Sequence, residues 1–117
     1  MAHNTRIKPQ ASDTVGLSAN YARIGTDLKN AAVVASHFMY NYASDTLSFD
    51  AVYLFNNAAA DSWLIAEGSV QPIRTDNITI TGINLDISIV DQCLNYLLTM
   101  TQFNGSQGGG SLIWVKA

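Results

Sequence analysis

The residues able to do chemistry in this 117-residue chain are few and widely spaced. An imidazole can bind a metal or carry a proton, and the chain has His3 and His37. A metal site needs ligands that converge, and neither histidine has one at helical spacing. Asp45 with Asp50, or Asp61 with Glu67, could act as a carboxylate pair for acid–base work, provided the fold brings them together. Nothing in their spacing requires it. Cys93 sits among Leu94, Leu97 and Leu98 and reads as a buried structural thiol rather than a nucleophile. A single cysteine excludes an internal disulfide. The run GSQGGGS, Gly105 to Ser111, resembles a phosphate cradle only in glycine content. A P-loop needs a Lys-Ser/Thr pair opening a following helix. Here the glycines follow a predicted helix and precede a predicted strand, with no lysine, so they read as a connection. No catalytic residue, metal or cofactor is expected, and the chain is not expected to be an enzyme.

Tyr40, Tyr42, Trp63 and Trp114 are the candidate contacts for a ligand or a protein partner. Each joins an apolar body to a polar handle, the combination that stacks on sugars and anchors interfaces. The competing reading places them in the core. Asn77-Ile78-Thr79 and Asn104-Gly105-Ser106 match the glycosylation acceptor pattern, a short motif that arises readily by chance.

The elements that must position these residues follow from periodicity. Residues 1–26 have no sustained period and read as an N-terminal arm, with Ile7, Val15, Leu17 and Tyr21 as its apolar anchors. Such an arm packs either on a neighbouring subunit or back on its own domain. Residues 27–117 form one globular domain. Within it, Leu28, Ala31, Ala35, Phe38 and Tyr42 fall at helical spacing and predict a helix over 27–43. Phe49 to Phe55 is aromatic and β-branched and predicts a strand, with a helix over 50–60 as the competing reading. Trp63 to Ala66 reads as a second strand. Val70 to Arg74 reads as an edge strand, since Pro72 cannot donate to a central ladder. Ile78 and Ile80 alternate with Thr79 and Thr81, and after Gly82 the phase flips so that Ile83, Leu85 and Ile87 share a face, as at a bulge or turn between two strands or within one bent strand. Ser88 with Asp91 has the spacing of a capping box. It opens a helix whose stripes run to Phe103, and Asn104-Gly105 ends it. Ser111 to Lys116 is a terminal strand. The fold class is therefore α+β: a small antiparallel or mixed sheet packed on one or two helices, with an extended N-terminal arm.

Only 13% of residues are charged, about half the usual share of roughly 25%. A surface of Ser, Thr, Asn, Gln and Ala loses less hydration on burial than an ionic one. That suits either a soluble monomer with a weakly charged exterior or a subunit built for permanent contact, and interface cores are depleted in charge for the same reason. The net charge of −3 and six scattered cations argue against a nucleic-acid partner. No apolar run approaches the roughly 20 residues of a membrane helix, and MAHNTRIKPQ has no apolar signal core.

From Ile83 to Val115, the order INLDIS, VDQCLNYLL, FNGSQGGGSLIWV resembles segments of tailed-phage structural proteins. In these a short strand is followed by Val-Asp, a leucine-rich helix, glycines and a strand. The resemblance transfers no functional residue. It implies a non-enzymatic virion protein, such as a capsid-decorating, collar or tail component, assembled in a host cytoplasm. Its partners would be copies of itself, as a homo-oligomer, and other virion proteins, with no nucleic acid or membrane. The alternative is a carbohydrate- or small-ligand-binding module that uses the four aromatics.

Overall fold

The structure is a computed structural model and describes residues 4–9, 15–17, 28–29, 31–100, 103 and 114–117. Its strands are β1 (Arg6–Pro9), β2 (Val15–Leu17), β3 (Leu28–Lys29), β4 (Ala32–Asn41), β5 (Thr46–Leu54), β6 (Arg74–Thr81) and β7 (Trp114–Lys116). Its helices are α1 (Asn57–Ile65) and α2 (Ile89–Leu98). Five strands form an antiparallel sheet in the order β6-β5-β4-β1-β7, and β2 pairs with β3 apart from it. The α+β class read from the sequence is the observed one.

Ala31–Ser36 is buried without a break, because β4 lies inside the sheet and is covered on both faces. A strand buried on both faces carries apolar residues at every position rather than at alternate ones. Ile7, Val33, Ala35, Phe49, Ala51 and Tyr53 meet Cys93, Leu94 and Leu97 of α2 on one face. Ala32, Val34, Val52 and Leu54 meet Ala60 and Trp63 of α1 on the other. This corrects the helix predicted over 27–43. In an unbroken apolar run, matches to a helical stripe arise automatically, and the β-branched Val33 and Val34 decide for the strand once β1 and β5 offer pairing.

Two further expectations fail for related reasons. Trp63 to Ala66 is not a strand: Asn56 accepts the Ala59 N–H at 2.8 Å and caps α1, whose last residues include Trp63. The alanines that favour this helix carry no periodic signal, so the helix is hard to read from pattern. Val70 to Arg74 is not the edge strand either. The chain joins the sheet only at Arg74 and runs to Thr81 as β6, which leaves Pro72 outside the ladder.

Other expectations hold. The strand read at Phe49 to Phe55 is β5, and Ile78 to Thr81 forms the end of β6. Gly82 adopts φ +71, a left-handed conformation that glycine reaches at little cost, and β6 ends before it. The strand expected beyond it does not form, because Ile83 to Ser88 is an irregular connection with a turn at Leu85–Asp86 that leads into α2. Ser88 caps α2 by accepting the Asp91 N–H at 3.2 Å. The helix stops at Leu98, short of the predicted Phe103, and the Phe103 carbonyl accepts the Trp114 N–H of β7 at 3.3 Å.

Of the N-terminal segment, Arg6–Pro9 is an inner strand between β4 and β7, and Ile7 is fully buried in the core of its own domain. Val15 and Leu17 give backbone to the two-stranded ladder with Leu28 and Lys29. Tyr21, the glycine run 105–110 and the other parts of residues 1–26 lie outside the described residues.

Candidate functional site

Between Ser36 and Met39 the β4–β5 register slips: Ser36 faces Asp50, and Met39 faces Ser48. Three steps on β4 thus span two on β5, which is a bulge, and bulges re-aim side chains. His37 lies within it at φ 54, a left-handed conformation uncommon outside glycine. Its Nδ1 lies 3.0 Å from Asp50 Oδ2 and its Nε2 lies 3.0 Å from Glu67 Oε2. Ser36 Oγ donates to Glu67 Oε1 at 2.6 Å, and Asn77 Nδ2 donates to Asp50 Oδ1 at 3.1 Å. The Trp63 ring meets the imidazole edge to face, with centroids 6.4 Å apart.

Ser36, His37 and Glu67 border a cleft of about 460 Å³. Ala35–Phe38 of β4 form its floor, Leu64 and Glu67 line the α1 side, and Ser88 and Val90 line the α2 side. Asn4 and Thr5 close it where β1 begins. In this geometry the imidazole braces β4, β5 and the segment after α1. Both ring nitrogens are occupied by carboxylates on opposite sides of the ring, so neither carboxylate shares a point of convergence with it. Ser36 faces Glu67 rather than His37, so the Ser–His–acid order of a nucleophilic site is not formed. Among the described residues no group of three His, Cys, Asp or Glu side chains is placed to hold a metal ion.

The anticipated carboxylate pairs are split. Asp45 accepts from Tyr40 Oη at 2.7 Å, Asp61 pairs with Arg6, and Asp50 and Glu67 flank His37. The hydrogen bond to Asp45 holds the Tyr40 hydroxyl above its ordinary pKa. The pairing of Asp50 and Glu67 around one imidazole was not anticipated. Its signal was hidden by the helix reading of 27–43, since the hairpin that sets Ser36 against Asp50 exists only if both segments are strands.

The four aromatic candidates separate. Trp63 and Trp114 are 7% and 3% exposed and belong to the core, which corrects their reading as contacts. Tyr40 is half-buried and packs on the core, and Tyr42 at the hairpin turn is 84% exposed. The Trp63 indole N–H is buried without a hydrogen-bond partner.

A second surface lies at the sheet edge. Among the described residues β6 pairs only with β5, so its outer edge is open. Thr75, Asn77, Thr79 and Thr81 are exposed on one face, while Ile78 and Ile80 pack toward α2 on the other. Beside the edge a groove of about 450 Å³ runs between Thr79–Ile83 and Gln92, Asn95 and Tyr96. Leu85, Ile87 and Tyr96 are exposed on the neighbouring segments. Comparison of the chain with protein-family models, with curated proteins and with solved structures gave no match.

Proposed function

We propose that this chain is a non-enzymatic structural subunit of a larger assembly, of the kind found among virion components of tailed phages. The observation that carries the reading is the outer edge of β6: among the described residues the stretch 75–81 pairs only with β5, and this stretch is free of lysine. A row of unpaired backbone N–H and C=O groups is a template for another strand, and sheets that must stay alone blunt such edges with Lys, Pro or a bulge. The β5–β6 ladder runs from Thr46–Thr81 to Tyr53–Arg74 with no slip. Exposed Leu85, Ile87 and Tyr96 add apolar surface near the edge, and the weakly charged exterior costs little to desolvate. In this reading the partners are copies of the chain and neighbouring virion proteins.

The test is the solution mass of the full chain by light scattering over a wide concentration range. A mass that exceeds 12.6 kDa and reaches a defined multiple supports a subunit. A monomer at every concentration overturns the reading.

A further inference from the structure

We infer that His37 is a proton-dependent tie between the β4–β5 hairpin and the segment that follows α1. Each ring nitrogen faces its own carboxylate. Nδ1 lies 3.0 Å from Asp50 Oδ2 on β5, and Nε2 lies 3.0 Å from Glu67 Oε2 beyond α1. An ionised carboxylate only accepts, and a neutral imidazole has one N–H and one lone pair. Whichever nitrogen carries the proton, the other then sets its lone pair against a carboxylate. The imidazolium alone has a donor for both, and both contacts are then charge-assisted. Asp50 is the charge that β5 presents to the ring, and Glu67 is the one from the α1 side. Asn77 of β6, Trp63 of α1, Asn4 ahead of β1 and Ser88 ahead of α2 are uncharged. No lysine or arginine among the described residues lines the cleft.

The two sides of the tie differ in freedom. His37 is held at φ 54, and neither it nor Phe38 has a partner residue on β5. A residue other than glycine stays in that conformation only where its surroundings over-determine it, and such residues cluster at switch regions. Asp50 is fixed from behind by Asn77 Nδ2 at 3.1 Å. Glu67 is half-exposed, and its polar contacts are Ser36 Oγ at 2.6 Å and the imidazole. A Cβ at the next residue, Gly68 with φ +83, would meet nothing within 4 Å, so the turn has open space beside it. Loss of the ring proton therefore releases Glu67 and leaves Asp50 in place. The tie is present at mildly acid pH, where carboxylates in general are ionised, and is lost as pH rises and the ring gives up its proton. Both His37 and Glu67 line the cleft, so the cleft wall changes with that proton.

The experiment follows the full chain by NMR at about pH 5.5 and about pH 8.5, on either side of the range in which imidazoles usually change charge. Ring nitrogen shifts count the protons on His37, and His3→Gln identifies its signals, since the chain has two histidines. Amide exchange, corrected for its intrinsic pH dependence, reports the turn, where the Ser69 N–H donates to the Ala66 carbonyl at 3.0 Å. Two ring protons are expected at the lower pH and one at the higher. Protection of the Ser69 amide is expected to fall about threefold or more between them. Glu67→Gln puts an amide at this half-exposed position, which can donate or accept, so its protection is expected to stay constant. One ring proton at both pH values overturns the tie. So does a change of ring charge that leaves Ser69 unaltered, or an equal loss of protection in Glu67→Gln.

Discussion

Lys116 Nζ donates to Asp91 Oδ1 at 2.9 Å, which ties the last strand of the sheet to the first turn of α2. That hydrogen bond, opposed by partial desolvation and assisted by Asn4, holds the Asp91 carboxyl below its ordinary range. A depressed carboxyl contributes stability that is present above its unfolded value, about 3.9, and lost as pH falls through the folded value. Lys116→Met is therefore expected to lower the unfolding temperature at pH 7, and the gap to wild type is expected to close by about pH 2. Thermal unfolding of both proteins across that range is the check. A gap that stays constant would assign the effect of Lys116 to the packing of its stem rather than to its charge.

Phe103 stands between two aromatic partners. Its ring stacks on Tyr53 with centroids 5.8 Å apart and meets Trp114 edge to face at 4.8 Å. At 1% exposure it closes the α2 face of the core where β7 joins. Phe103→Ala leaves a cavity among these rings and is expected to cost about 3–5 kcal/mol. Tyr42→Ala, at an exposed turn position, is expected to change stability by less than about 0.5 kcal/mol. Urea unfolding of the two variants measures the contrast, and equal losses would contradict the packing described at Phe103.

Cys93 is fully buried, and its thiol is pushed up to about 12 by desolvation. Since the thiolate is the reacting species, the native protein is expected to resist thiol reagents at pH 8. One equivalent should then react on addition of denaturant, because the chain holds one cysteine. Rapid labelling of the folded protein would place the thiol outside the core.

The parts of the fold legible in the sequence are those decided over a few residues. The Ser88–Asp91 cap is a contact between positions three apart, and its spacing announced it. The end of β6 at Gly82 was visible because the alternation breaks at a glycine, but the strand expected beyond it was not there. The alternation from Ile78 to Thr81 survived because β6 has one buried and one exposed face. Strand β4 was misread because its first half, Ala32 to Ser36, is buried on both faces and so shows no alternation.

The candidate site was less legible than the fold. His37 meets Asp50, 13 positions on, through the hairpin register, and Glu67 reaches Ser36 from 31 positions away. Trp63 and Trp114 are alike in residue type to an exposed anchor, and only the placement of α1 on one face and Phe103 on the other buried them.

By itself the sequence determined a weakly charged α+β chain with one cysteine, a capped second helix and an alternating strand that ends at a glycine. These are properties of composition or of contacts within one turn, where local sterics and hydrogen bonding act whatever the rest of the chain does. Only the tertiary structure decided that Ala32–Asn41 is a strand, that the tryptophans are core, that His37 lies between two carboxylates, and that among the described residues β6 pairs only with β5. Those outcomes depend on which distant segments win the competition to bury one another, and pairing energy of that kind has no short-range signature.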